Sequence, residues 1–321
     1  EQVIRCGLSE NLDMISESVA YLKGHLDEVF FDAEHFFDGY KRNPEYALKS
    51  LQAAKEGGAD VLVLCDTNGG TLPGEFMRIF REVQGRIQAP LGVHVHNDTG
   101  CAEANSIIAV EEGAVQVQGT INGIGERTGN ANLTTIIPAV QLKLGKALVP
   151  EANLARLSEL SIFVSEIANI VPSVRAPYVG AAAFSHKAGS HVDGVRKVRE
   201  SFEHIPPEKV GNARRFVLSD QAGGGTIIEK LKTIQPDLSK GDPLVKKVLA
   251  KIKEMEADGY HFEAADGTFQ LIVQHMLGAF ERPFEVLGFR VIEEKAADGT
   301  MASEATIKVR EGEALVHTAA D

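Results

Sequence analysis

One unit recurs four times in the first 145 or so residues of this 321-residue chain: a short apolar run, a polar loop, then an amphipathic helix. The runs lie at 28–32, 61–65, 91–96 and 114–118, and the unit repeats every roughly 24–33 residues. This recurrence constrains the fold more than any other feature. The run Val-Leu-Val-Leu-Cys at 61–65 is continuously apolar, as in a strand buried on both faces of a parallel sheet. Strands joined by crossover helices run parallel, because antiparallel neighbours need only a short turn. Two architectures satisfy this, the barrel and the doubly wound sheet. Both place their sites at the carboxyl ends of the strands. The four polar loops occupy that position and carry the ionisable and glycine-rich residues, whereas the helix-to-strand connections are bland.

The flanking elements follow from local chemistry. Residues 9–24 read as an amphipathic helix capped by Ser9, with Leu12, Ile15, Val19 and Leu22 on one face. Residues 33–39 read as a loop, after which Asn43 caps a helix that Pro44 opens and Gly57-Gly58 ends. Pro73 opens the next helix, through Phe76, Ile79, Phe80 and Val83. After residue 150 the pattern changes. Residues 151–171 and 222–256 read as helical, and from about 283 alternating strands around 289–292 and 305–309 suggest a separate β-rich module.

The bulk properties narrow the function. A formal charge of −12 argues against a nucleic-acid or anionic-membrane surface, though a local basic patch for a phosphorylated ligand is compatible with it. Cys6, Cys65 and Cys101 form no CxxC pair, which fits a reducing, cytoplasmic setting. No apolar run approaches the roughly 20 residues of a membrane span, and no signal-peptide pattern is visible.

The residues able to do chemistry centre on Leu91-Gly-Val-His-Val-His-Asn-Asp98. On a strand, His94 and His96 point to the same face and could share a divalent cation; two hydrogen-bonded, partly buried histidines are the ordinary alternative. A two-histidine site needs at least one more ligand, and a mixed nitrogen and oxygen set suits Zn, Mn or Mg acting as a Lewis acid. Asn130 could supply an oxygen, or simply cap the following helix. Glu34 stands at the end of the first strand and could face the same pocket or be a solvated carboxylate. At the matching place after the second strand, Asp66 could cap a turn and Thr67 could bind a substrate carboxylate. Cys101 reads as packing. His191 and Asp193 could form an oriented acid–base pair, or a helix start with a surface histidine; His186 lies in the same segment.

Three longer stretches carry a family resemblance. They are His94-Val-His-Asn-Asp-Thr-Gly100, Gly119-Thr-Ile-Asn-Gly-Ile-Gly-Glu-Arg-Thr-Gly-Asn130 and Phe184-Ser-His-Lys-Ala-Gly-Ser-His-Val-Asp-Gly194. Together they resemble the α-isopropylmalate/homocitrate/citramalate synthase family. Phe31-Asp-Ala-Glu-His-Phe-Phe-Asp-Gly-Tyr40 and Cys65-Asp-Thr-Asn-Gly-Gly-Thr-Leu-Pro73 look most like its citramalate branch.

The resemblance implies an α/β fold: the C-terminal part of a TIM (β/α)8 barrel, then helical linker subdomains and the start of a β-rich regulatory domain. The implied boundaries are 1–150, 151–280 and 281–321. The family's first strand carries an Asp-Arg-Glu or Arg-Asp-Gly motif with a metal-ligand Asp, and this sequence does not contain it. The expectation is therefore a fragment, or a chain inactive as it stands. Carried over residue by residue, His94, His96 and Asn130 would serve the metal, and Glu34 would lie near the acetyl-CoA thioester. Thr67 would hold the keto-acid carboxylate, and His191 with Asp193 would reach over the partner barrel of a homodimer. The implied reaction is an acyl transfer condensing acetyl-CoA with pyruvate to citramalate and CoA, in isoleucine synthesis. The rivals are an isopropylmalate synthase acting on 2-ketoisovalerate, a hydroxymethylglutaryl-CoA-cleaving lyase, and a non-catalytic or regulatory fragment. The lyases carry a cysteine in the glycine-rich loop where this chain has Gly123-Ile-Gly-Glu-Arg127, which disfavours that rival.

Overall fold

The structure, a computed structural model, describes residues 5–187, 189–217, 224–232, 238–239, 241–262, 265–280 and 282–320. It divides into two compact units, one of residues 1–186 with 193–215, the other of residues 187–192 with 216–321.

In the first unit the expected alternation is present. It runs α1 (Leu8–Lys23), β1 (Phe30–Ala33), α2 (Phe36–Arg42), α3 (Pro44–Glu56), β2 (Val61–Asp66), α4 (Pro73–Arg86), β3 (Leu91–Val95), α5 (Ala102–Glu111), β4 (Gln116–Gln118) and α6 (Leu133–Lys143). The four strands form one parallel sheet in the order β1-β2-β3-β4. Register aligns Cys65 with His94, and His94 with Gln118. The period of two then sorts the side chains. Leu62, Leu64, Leu91, Val93 and Val95 enter the main core, which also holds Leu51, Phe76, Ile79, Phe80 and Val83 from α3 and α4. Phe37 stacks on Phe76 with ring centroids 4.5 Å apart. Val61, Val63 and Cys65 form a separate small cluster on the other face.

That other face is concave. Gln118 Nε2 on β4 donates to Asp32 Oδ1 on β1 at 2.9 Å, across the two intervening strands. In a flat sheet, strand spacings of about 4.8 Å would hold β1 and β4 about 14 Å apart, beyond the reach of these two side chains. The sheet is therefore an arc of barrel type, and the carboxyl ends of its outer strands approach each other over its inner face.

Local differences from the sequence reading have local causes. Helix α1 starts one residue earlier than expected. Gly7 is its cap, with the Glu10 carboxylate accepting from the Gly7 N–H at 3.2 Å, which leaves Ser9 inside the first turn. The stretch read as a loop contains α2, because Phe36, Phe37 and Tyr40 recur at helical spacing and are all buried. The helix expected over 151–171 is two, α7 (Glu151–Leu154) and α8 (Leu157–Ile167).

The boundary expected at residue 150 does not coincide with the compact division. Leu154, Leu157, Tyr178, Val179, Phe184, Ile205 and Val210 share one core with Ala139 of α6, so this segment packs onto the parallel unit. The segment continues through β5 (Ser185–His186) and α9 (Gly189–Lys197), and β5 pairs with β6 (Arg215–Phe216).

In the second unit, α10 (Gly224–Lys232), α11 (Pro243–Ala257) and α12 (Asp266–Met276) bury Ile227, Leu231, Val248, Ile252, Phe262, Phe269 and Val273. The helix expected over 222–256 is thus α10 and α11; residues 222–223, 233–237 and 240 lie outside the described residues. An antiparallel sheet follows, β7 (Glu285–Lys295), β8 (Met301–Glu311) and β9 (Ala314–Ala320), one strand more than the pattern suggested. Among the described residues no helix is long and apolar enough to cross a membrane.

One buried ion-pair network holds the 185–215 segment together. The Glu203 carboxylate is buried, paired in bidentate fashion with the Arg214 guanidinium and 3.0 Å from His186 Nε2. Burial pulls its pKa up, but the Arg214 and His186 hydrogen bonds outweigh that and hold it below the usual glutamate value. A depressed folded-state pKa stabilises the fold above the unfolded pKa, and the contribution fades as pH falls through the folded value. Arg214→Met should therefore lose about 3–5 kcal/mol in urea unfolding at pH 7, with the loss shrinking as the pH is lowered below the ordinary glutamate range.

Candidate active site

His94 is the inward-facing residue of β3 nearest its carboxyl end, and His96 follows two residues on. His96 extends the strand by an isolated antiparallel bridge to Asn130. Both imidazoles therefore point to the inner face, and their Nε2 atoms approach to 3.3 Å. Without a cation this distance suits a single N–H···N hydrogen bond. It is also the distance between two nitrogens bound to one ion, since bonds of about 2.0–2.1 Å at a tetrahedral angle place them roughly 3.3 Å apart. Burial, with the neighbouring His94 and Arg127, pushes the His96 pKa below its ordinary value, so the ring is neutral and has a lone pair at neutral pH.

The glycine-rich loop after β4 brings Asn130 beside His96. Asn132, not Asn130, caps α6, accepting from Thr134 N–H at 3.0 Å. Asn130 is thus released from the ordinary role its position suggested. Its Nδ2 donates weakly to Ile124 O at 3.3 Å, and its Oδ1 is buried with no hydrogen-bond partner among the described residues. His96 Nδ1 is in the same condition. The loop reaches this shape only with glycine. Gly129 is in the left-handed region at φ 101°, and a Cβ there would collide with the Gly123 carbonyl. A Cβ on Gly125 would collide with the Asn130 amide. Two imidazoles whose Nε2 atoms face each other and a buried amide oxygen with no partner among the described residues are a donor set that fits a divalent cation. Among the described residues no group of three or more His, Cys, Asp or Glu could hold a metal, so this set has no carboxylate.

The other sequence-derived residues fall into two groups. Thr67 directly follows β2: its hydroxyl oxygen accepts from His35 N–H at 2.7 Å, so its proton remains available to donate. Glu34 is exposed just past β1. Its charge, after burial and with Asp32, contributes to pushing the Cys65 thiol up to about 12, which makes that cysteine inert. Asp66 caps its loop as one reading held, its buried carboxylate accepting from Thr71 N–H at 3.0 Å. Cys101 is the residue before α5, its carbonyl accepting from Asn105 N–H at 2.8 Å and its thiol 3.6 Å from Thr99 O. His191 and Asp193 both lie on α9, where residues two apart point to different sides of the helix. Asp193 forms an ion pair with Lys197 one turn on, at 2.6 Å. His186 is taken up by the Glu203 network.

Three further residues, none singled out for a role from the sequence, join these loops and strand ends. Asp32 and Gln118 line the inner face, and Gln118 Oε1 lies 2.9 Å from His94 Nδ1. Arg127, itself left-handed at φ 54°, grips the Asp98 carboxylate through Nε and Nη2 and donates to Thr67 O at 2.7 Å. It ties the loops after β2, β3 and β4 together and holds the Asp98 carboxyl below the usual range. Its place in Gly-Ile-Gly-Glu-Arg was visible; the loops it would join were not.

Comparison with known proteins now decides the family. The sequence profile described as HMGL-like matches residues 1–164, and that described as homocitrate synthase post-HMGL domain-like matches residues 178–260. The chain belongs to the HMGL-like family. Among its relatives, the (R)-citramalate synthase of Geobacter sulfurreducens is 50% identical over all of this chain and 61% of its own length. That of Aquifex aeolicus is 50% identical over 98% of this chain and 60% of its own length. A probable 2-isopropylmalate synthase of Methanopyrus kandleri is 37% identical over 78% of this chain and 49% of its own length. The chain thus spans about 60% of the length of the citramalate synthases it matches.

The Arg127 clamp makes a prediction. In Arg127→Ala, amide exchange at Asn97 and Thr99 should accelerate at least several-fold, while the urea midpoint hardly moves because the ion pair is solvent-screened. Unchanged exchange would show that the loops hold without it.

Proposed function

We propose that this chain carries the metal-binding part of the active site of an acyltransferase that condenses acetyl-CoA with pyruvate, giving citramalate and CoA. The observation that carries the reading is the convergence of two ligand-ready imidazoles at the end of β3, in a chain 50% identical along its whole length to citramalate synthases.

A divalent ion, Mg, Mn or Zn, bound by His94 and His96 with Asn130 on or beside it, would supply Lewis-acid polarisation of the keto-acid carbonyl. Thr67 donates its hydroxyl proton to the keto-acid carboxylate, its oxygen being fixed by His35 N–H. Arg127 keeps that threonine in place through its backbone carbonyl. Glu34 lies near the thioester end of acetyl-CoA. Loss of a methyl proton from acetyl-CoA gives an enolate, whose carbon bonds to the keto carbon while the carbonyl electron pair moves to oxygen and takes a proton. Water then cleaves the thioester and releases the CoA thiol, which makes the sequence irreversible. His191 and Asp193 belong to the proton-transfer apparatus, contributed across a homodimer. The chain works in the cytoplasm, consistent with three free thiols and a charge of −12.

The second reading is an isopropylmalate synthase, favoured by the Methanopyrus kandleri relative. Its keto acid carries a branched three-carbon group where pyruvate has a methyl, so the two differ in pocket size. CoA release with each keto acid separates them. The expected result is a kcat/KM for pyruvate at least about tenfold above that for 2-ketoisovalerate, a modest factor for an apolar pocket. A faster reaction with 2-ketoisovalerate would overturn the substrate. His94→Ala should abolish retention of a divalent ion after gel filtration while leaving the circular dichroism unchanged; retention at wild-type level would contradict the site.

A further inference from the structure

The concave face holds a chain of hydrogen bonds that the reaction as described does not use. It runs from Asp32 on β1 to Gln118 on β4 and on to His94 on β3, with both contacts at 2.9 Å. Each donor and acceptor in it can be assigned. A carboxylate only accepts, so the Gln118 amide must turn its nitrogen toward Asp32. That leaves Gln118 Oε1 facing His94 Nδ1. An amide oxygen also only accepts, so Nδ1 must carry the hydrogen. The form of an imidazole that binds a cation has one N–H, and in that form the lone pair of His94 is on Nε2, the atom 3.3 Å from His96 Nε2.

We propose that Gln118, oriented by Asp32, is a positioning residue that fixes the tautomer and ring plane of His94 and so presents its Nε2 lone pair to a divalent cation. The inference rests on the metal reading of the site given above. Its physical basis is that of outer-shell partners generally. A ligand histidine whose second nitrogen is held donates its lone pair along one direction, without first choosing a tautomer. The device also depends on the fold, because Asp32 and Gln118 lie on the outer strands of the four-stranded sheet and meet only because the sheet is an arc. Sheet curvature and ligand orientation are thereby coupled through one amide.

Long-range nitrogen–proton correlation NMR on the metal-free protein reads the tautomer directly. Wild type should show His94 with the hydrogen on Nδ1. Gln118→Leu removes the acceptor and should give a mixed or reversed tautomer. Asp32→Val, which leaves the β3–β4 contact untouched, should do the same by freeing the amide to flip. Asp32→Asn can donate as well as accept, so it no longer forces the Gln118 amide into one orientation and should give a tautomer mixture between wild type and Asp32→Val. Titration of Zn against a chromophoric chelator should show affinity lowered roughly 10–100-fold in Gln118→Leu and Asp32→Val, and by less in Asp32→Asn. Circular dichroism and the urea midpoint exclude a folding defect in Gln118→Leu, and Asp32→Val provides an independent route if that variant is unstable. A hydrogen on Nε2 in wild type would overturn the proposal. So would an unchanged tautomer and affinity in both Gln118→Leu and Asp32→Val. Tautomer shifts as expected in a wild-type chain that binds no Zn would support the relay and contradict the metal reading instead.

Discussion

Everything at the site depends on the curvature of one four-stranded parallel sheet. A flat sheet would separate the carboxyl ends of β1 and β4 by about 14 Å and leave His94 on an open surface. The arc brings Asp32 and Gln118 into contact, encloses the small Val61, Val63 and Cys65 cluster, and gives the imidazoles a concave face to point into. Helix packing on the convex side supplies the driving force. Leu62, Leu64, Val93 and Val95 are essentially fully buried against α3 and α4, with the Phe37, Phe76 and Phe80 rings at the centre.

On that frame the loops divide the work by residue type. Small residues allow close approach where the backbone must fold on itself, as at Gly123, Gly125 and Gly129. Arg127 supplies cohesion, linking three loops with one side chain. Polar groups face the inside: His94, His96, Asn130 and Gln118, with the Asp32 carboxylate behind Gln118. The nitrogen and oxygen atoms nearest the two imidazoles are thus neutral amide and ring groups, with the carboxylate one hydrogen bond further back.

Much of this was legible in the sequence because it is local. The apolar run at 61–65, the Asn43-Pro44 helix start and the His94–His96 spacing each depend on neighbours within a few residues, and each is found where expected. Helix α2 was missed because a seven-residue helix has too few turns for its periodicity to stand out beside a Gly. Asn130 is ambiguous in sequence because an asparagine two residues later competes for the same cap, and in the fold Asn132 takes it. Asp32 and Gln118 were invisible for a stronger reason. They are 86 residues apart, and their contact exists only once the sheet has bent. At the expected boundary near residue 150 the composition changes, yet packing continues across it: Leu154, Leu157 and Val210 share the core of Ala139.

The central claim is that His94 and His96 bind one divalent cation together. X-ray absorption at the metal edge of the Zn-loaded protein tests it most directly, because imidazole rings give a characteristic multiple-scattering pattern. The account predicts one Zn per chain with two imidazole ligands and oxygen in the remaining positions, and the pattern lost in His94→Ala combined with His96→Ala. A bound Zn without imidazole scattering, or one unchanged in the double variant, would contradict it.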